Sequence, residues 1–502
     1  MTRVDRHPVL AIGIDAAEPT LVRRLLERGD LPGLGGLAQE GAWGPVISRE
    51  PVNSGGLWPS FLTGTPAAMH GLYGEWAWRP DTLDLARPSW DHLEPFWGAE
   101  ARQGRSVTVL DVPFAPSLGL PGCTEVLDWG AHDYLKGRLE VFPPALETLV
   151  RSAGGTHPFA AGAVDAAGPR DHAGLARALA SCLQGVEQRG RLAERLLVET
   201  TPDLFVLVFP EVHHAAHLLW HTIDPTHPDH GLAAPDERRG QGLLELLQAV
   251  DREIGRLRDV AGPRATVLVF SLHGMRAARG IPTILESLLR ASGFAVERPW
   301  RRHSRSEAAR RAAAIVKGSL PGAVKRFYHR RVPRAVTVRL SQPAMWLPAY
   351  DWSRTTAFSL PTDQNGWVRF NLRGREAQGI VEPSGYDALC ARLERMLRGA
   401  QHVDGRPIVR AVFRTAPDAA AAATSPLPDL VVYWDDATFD SPLRLAEPRV
   451  AAPAIGQKFT GQHAFEGFYL LRTPPGRPAA AGGAVAPEEL HRLLRDASAP
   501  AG

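Results

Sequence analysis

Unbroken apolar runs recur along the chain. VLAIGID (9–15), VTVLDV (107–112), LFVLVF (204–209), TVLVFS (266–271) and LVVYW (430–434) lack the polar alternation of a half-exposed strand, and they read as strands buried on both faces. Between them lie stretches with helical spacing, notably 173–200 and 240–260. In the second, Leu243, Leu244, Leu247, Val250, Ile254 and Leu257 recur along one helix face. Strands alternating with helices predict an α/β fold, with a mostly parallel central sheet covered by helices on both faces.

One segment departs from this rhythm. Residues 300–339 carry twelve Lys and Arg against one Glu, and their apolar positions suit two short amphipathic helices broken at Gly318 and Pro321. The segment divides the chain into three parts: 1–299 as the first part of the core, 300–339 as a basic helical insertion or cap, and 340–502 as the rest of the core. It is either a solvated basic face or a cover over an anionic substrate. AAAAAT (419–424) and AAAGGAVAPEE (479–489) read as loops or tails.

Composition narrows the class without naming it. The chain has 502 residues, 22% of them charged, and a formal net charge of +3, so no global field points to nucleic acid or membrane. The three cysteines, Cys123, Cys182 and Cys390, are far apart and form neither a disulfide framework nor a cysteine-type zinc pattern. The N-terminal apolar run meets Asp15 too early for a signal peptide, and no later run is long enough to span a bilayer. A cytoplasmic protein is expected.

Candidate chemistry collects at the predicted carboxyl ends of the strands, where open α/β sheets place their sites. Asp15 ends the first run. Taken alone, it is better explained as a cap for the next helix. Ser54 precedes a helix beginning near Gly55, where free N–H groups and the helix dipole favour an alkoxide and an anionic substrate. His213 and His217 are one helical turn apart and can share a metal ion, and His221 repeats the spacing. Asp224, His227 and His230 read as surface or outer-shell groups. His273 follows the fourth run, and His463 sits in a Gly-flanked turn before another apolar stretch. Imidazole and carboxylate suit a divalent metal, with zinc first and manganese or iron as alternatives.

In order along nearly the whole chain, these segments resemble the type I phosphodiesterase/nucleotide pyrophosphatase family of the alkaline phosphatase superfamily. The resembling stretches are IGIDAAEPT (12–20), NSGGLWPSFLTGTPAAMHGLYG (53–74), EVHHAAHLLW (211–220), FSLHGM (270–275) and TGQHAFEGFYLL (460–471). The resemblance implies an alkaline-phosphatase-like fold with the basic segment inserted. It also implies one metal position built from Asp15, Ser54, residue 272 and His273, and another from His213, His217 and His463. Ser54 would be the nucleophile on phosphorus, and Asn53, Arg301 and Arg302 would bind the anionic substrate.

Two positions depart from the family pattern. Leu272 stands where an aspartate ligand is expected and cannot coordinate. His213 stands where another aspartate is expected, but it still can. The first metal position is therefore weakened, unless a nearby carboxylate such as Glu211 compensates. The expected activity is metal-dependent hydrolysis or transfer of a phosphate ester, of the diester or nucleotide-pyrophosphate kind, on a small anionic molecule. The alternatives are a sulfate or phosphonate ester hydrolase, or an inactive binding protein that keeps the fold. Nucleic-acid binding through the basic segment has no other support and is not expected.

Overall fold

The computed structural model describes residues 7–48, 54–74, 76–86, 88–130, 139–158, 172–227, 229–230, 241–278, 284–299, 348–362, 365–402, 404–435, 445–447, 459–475 and 482–498. Asn53, Arg301, Arg302 and the basic segment 300–339 lie outside these residues.

Eight strands form the central sheet: β1 (Val9–Ile14), β2 (Ala42–Ile47), β3 (Val107–Leu110), β4 (Cys123–Leu127), β5 (Glu140–Phe142), β6 (Leu204–Phe209), β7 (Thr266–Ser271) and β8 (Glu466–Arg472). Their order across the sheet is β2-β8-β7-β1-β6-β3-β4-β5. The five central strands, from β7 to β4, run parallel, while β8 and β5 run antiparallel to their neighbours.

The apolar runs carry no polar alternation because both faces of the sheet are covered. Val9, Ala11, Val206, Val208, Leu268 and Phe270 belong to one core cluster. Their neighbours Leu10, Ile12, Phe205, Leu207, Val267 and Val269 belong to the other. The second cluster is filled by α1 (Pro19–Glu27), α2 (Pro32–Glu40), α4 (His172–Thr200), α5 (Glu211–Ile223) and α6 (Gly242–Ala261). The first contains Leu57, Trp58 and Phe61 of α3 (Ser54–Thr63), together with a smaller sheet built by the second half of the chain.

Two expectations change here. LVVYW (430–434) is a buried strand, but it belongs to the smaller antiparallel sheet, in the order 357–360, 366–370, 430–434, 409–414. Residues 419–424 are not a loop but a helix, Ala419–Thr424, capped by the Asp418 carboxylate accepting from the Ala421 N–H. Alanine has the highest helix propensity, Asp418 caps the first turn, and Ala422 packs into the core, which together hold this short helix. The described part of 479–489 is also docked rather than loose: Val485 bridges Val46, and Pro487–Glu489 form a 3-10 turn leading into the buried Leu490. No described helix is long and apolar enough to cross a membrane. The three cysteines are buried and unbridged.

The registers align the strand ends that matter. Ile14 lies opposite Phe209, and Gly13 opposite Phe270, so β1, β6 and β7 end together at one edge. Each is followed within four residues by one of Asp15, His213 or His273.

Candidate metal centre

Local bracing at this edge sets the positions of the site residues. Asp15 is not the cap of α1; that role falls to Glu18, whose carboxylate accepts from the Thr20 and Leu21 N–H groups. Ala16 instead takes a positive φ of 59°, turning the chain sharply after Asp15. The Ala17 N–H then donates to Ser271 Oγ at 3.1 Å, and that hydroxyl donates to the His273 carbonyl at 2.8 Å. One buried serine therefore ties the Asp15 loop to the His273 loop. Sequence reading passed over Ser271, although its place at the strand end was a signal.

His213 and His217 project one turn apart from α5, which begins immediately after β6 and Pro210. His463 comes from the strand Gly461–Ala464, which pairs antiparallel with Gly274–Ala277 and sets His463 opposite Met275. Gly461 is required at this crossing: a Cβ there would stand 2.3 Å from the Ala216 carbonyl oxygen of α5. This close approach brings the second half of the chain onto the helix that carries the other two histidines.

Asp15, His213, His273 and His463 are buried, at 2%, 3%, 0% and 7% exposure, and His217 is partly exposed. The Asp15 carboxylate accepts from His213 Nδ1 at 2.7 Å, and the Gly461 carbonyl accepts from His217 Nδ1 at 2.7 Å. A carboxylate and a carbonyl oxygen only accept, so both Nδ1 atoms carry hydrogen and each neutral ring presents a lone pair at Nε2. Those two Nε2 atoms lie 2.9 Å apart, and His463 Nε2 lies 2.6 Å from that of His213. A proton or a metal ion between these nitrogens relieves the repulsion of lone pairs turned toward one another.

The donor set fits a tetrahedral ion bound by imidazoles. Ligand arms of about 2.0–2.1 Å set nitrogens roughly 3.3–3.4 Å apart, so the rings need only spread by roughly 0.5–0.8 Å. The hydrogen bonds at Nδ1 are the outer contacts that orient metal-binding histidines. Phe459 lies over the partly exposed ring of His217, with centroids 4.6 Å apart.

The other half of the site is sparser. His273 Nε2 is 3.4 Å from Asp15 Oδ1, and neither atom has a hydrogen-bond partner among the described residues. Burial works to raise the pKa of Asp15. The interactions with His213 and then His273 outweigh it and hold the carboxyl well below the usual range. Leu272 is 1% exposed and belongs to the same core cluster as Leu268, Phe270, Trp58 and Phe61.

Glu211 does not make good the missing carboxylate. It is fully buried, accepting from Arg189 Nε at 3.0 Å and His157 Nε2 at 2.9 Å. Arg189 also donates to Asp111 Oδ2 at 2.8 Å and to the Gly130 carbonyl, and Asp111 accepts from the Trp129 and Gly130 N–H groups. Burial favours the neutral carboxyl of Glu211, but the Arg189 charge prevails and keeps its pKa below the usual value. This buried network joins the ends of β3 and β4 to the first residue of α5, and so fixes where His213 starts. Sequence reading missed Asp111, Arg189 and His157, because nothing in their spacing marks them.

The remaining histidines brace the segment ahead of His463. His221 Nδ1 bonds Thr460 Oγ1 at 3.2 Å, His227 Nε2 donates to the Thr460 carbonyl at 3.1 Å, and His230 Nδ1 donates to the His221 carbonyl at 2.8 Å. Asp224 holds its own turn by accepting from Thr226. Ser54 opens α3.

A family model described as type I phosphodiesterase / nucleotide pyrophosphatase matches residues 9–439. No curated protein matches the chain. Among solved structures, phosphonoacetate hydrolase from Sinorhizobium meliloti, seen with phosphonoformate and with phosphonoacetate, superposes with a TM-score of 0.51 at 15% identity, covering 98% of this chain and 96% of that one. This likeness is one of fold. Human ectonucleotide pyrophosphatase / phosphodiesterase 5 is also similar, with a TM-score of 0.46, 10% identity, and coverage of 97% and 94%.

Proposed function

The chain belongs to the type I phosphodiesterase / nucleotide pyrophosphatase family and is a hydrolase of that kind, and from that premise we propose that it cleaves phosphate esters by attack of Ser54 beside a metal held by His213, His217 and His463. One observation carries the reading: the Nε2 atoms of His217 and His463 lie 2.9 and 2.6 Å from that of His213, with the other nitrogens of His213 and His217 already committed as donors. Three imidazoles favour zinc. A divalent ion bound there supplies Lewis acidity toward a phosphoryl oxygen and a low-pKa water.

The chain's own residues do the rest. Ser54, at the start of α3, attacks phosphorus where helix N–H groups favour negative charge. A P–O bond to the serine oxygen forms as the bond to the leaving alcohol or phosphate breaks. Water then replaces the serine oxygen and restores the enzyme. Asn53, Arg301 and Arg302 bind the anionic group. The substrate is a small phosphodiester or nucleotide pyrophosphate, and the enzyme works in the cytoplasm.

The second reading, a binding protein that keeps the fold, draws on the burial of Leu272 in the apolar core. The two are separated by assaying metal-loaded protein on bis-aryl and mononucleotide aryl phosphodiesters, with sulfate and phosphonate esters alongside. Turnover that disappears in Ser54→Ala while metal stays bound supports the enzyme mechanism. Metal-loaded protein inert toward all of them supports the binding reading.

A further inference from the structure

We infer that this chain keeps a single resident metal ion, and that Asp15 acts as the carboxylate orienting His213 rather than as a ligand. The inference rests on the three-histidine reading above and sharpens it. The resemblance places Asp15, Ser54, an aspartate at position 272 and His273 around one ion. Here residue 272 is a leucine in the core cluster of Phe270 and Trp58, so that position has lost a donor and its charge.

The geometry gives Asp15 other work. Its Oδ2 is 2.7 Å from His213 Nδ1, a direct hydrogen bond that leaves no space for an ion between them. This bond places hydrogen on Nδ1 and turns the Nε2 lone pair toward His217 and His463. It is the carboxylate–histidine–metal arrangement, in which an outer carboxylate fixes the ring and raises its basicity. The two departures from the family pattern thus answer each other. Histidine at 213 needs an outer acceptor, and leucine at 272 releases Asp15 to be one.

What remains of the other position is Asp15 Oδ1 and His273 Nε2, 3.4 Å apart, with the Ser54 hydroxyl that the resemblance adds. His213 also lies within reach of both, but its Nδ1 is bonded to Asp15 and its Nε2 faces His217 and His463. Zinc sites are built from thiolates, imidazoles and carboxylates, and one carboxylate oxygen, one imidazole and one neutral hydroxyl are too weak a set to hold an ion through dialysis.

The test is metal stoichiometry, measured by elemental analysis on full-length protein loaded with zinc and dialysed free of excess. One equivalent per chain is expected. His273→Ala should keep that equivalent, His217→Ala should lose it, and Asp15→Asn should keep it with affinity weakened about 10–100-fold, the usual cost of an outer-contact change. Two tightly held equivalents in the unaltered protein would overturn the inference and leave the hydrolase reading intact, with His213 then bridging two ions. Loss of the equivalent in folded His273→Ala would also overturn it. Failure to bind any metal would remove the three-histidine reading itself.

Discussion

His213, His217 and His463 aim three nitrogens at one point, from a helix and a strand that a glycine allows to touch. Asp15 and His273, in the same site, aim two atoms at each other, and the third donor within reach of them, His213, is already bonded to Asp15 through Nδ1, while the adjacent Leu272 packs in the core. Both halves sit at the same edge of the same sheet, and of their five side chains His217 alone is partly exposed. They differ in which donors stay uncommitted and in what surrounds them. On one side the outer nitrogens of His213 and His217 bond to a carboxylate and a carbonyl. On the other, one atom of each group has no partner among the described residues. Burial alone therefore does not make a metal position; convergence with committed outer contacts does.

The comparison breaks first at the nucleophile. Ser54→Ala should lower turnover by roughly 10³-fold or more, the scale of removing a covalent nucleophile, with metal content unchanged. Steady-state kinetics beside elemental analysis check this. Next is the richer half itself. His217→Ala should weaken metal binding beyond the roughly 100-fold that outer contacts cost, because a ligand is removed. Competition with a chromophoric chelator measures it, and the same assay on His273→Ala should show almost no change.

The network behind the richer half comes third. Arg189→Met strands the buried carboxylates of Asp111 and Glu211, and should cost about 3–5 kcal/mol in denaturant unfolding. Leu272→Ala sharpens the sparse half: as a core residue it should lose about 2–5 kcal/mol with no gain or loss of metal. A leucine merely lining an open site would cost much less.

The smallest effect is expected at the foot of α3. His70 Nδ1 accepts from the Leu72 N–H, and its Nε2 bonds Ser60 of α3. Burial first, then the charge of His92, push its pKa down to about 4. The unfolded chain then binds the extra proton more readily, so the stabilisation is complete above pH 6.5 and is lost as pH falls toward 4. The stability difference between the natural protein and His70→Gln should shrink across that window. A difference that stays flat from pH 7 to 4 would show that His70 does not titrate there.

Much of this was legible in the sequence because it follows from local pattern. The apolar runs at 9–15, 204–209 and 266–271 read as doubly buried strands, and their ends gave Asp15, His213 and His273. The i, i+4 spacing put His213 and His217 on one face. Partners distant in sequence were not legible. Nothing near Glu211 announces Arg189 or His157, and nothing near Asp15 shows that its carboxylate would meet His213 Nδ1. LVVYW had the right local pattern for its buried strand, but sheet membership is decided by pairings far along the chain, which that pattern does not carry. The helix at 419–424 was passed over because repetition of alanine was read as low complexity rather than as high helix propensity.

The most direct test of the asymmetry is X-ray absorption at the zinc edge of loaded, dialysed protein. The account predicts three imidazole nitrogens at about 2.0–2.1 Å with one further light atom, and no zinc–zinc scattering. A shell dominated by carboxylate oxygen, or a second zinc at the roughly 3.5–4 Å of a two-metal site, would contradict it.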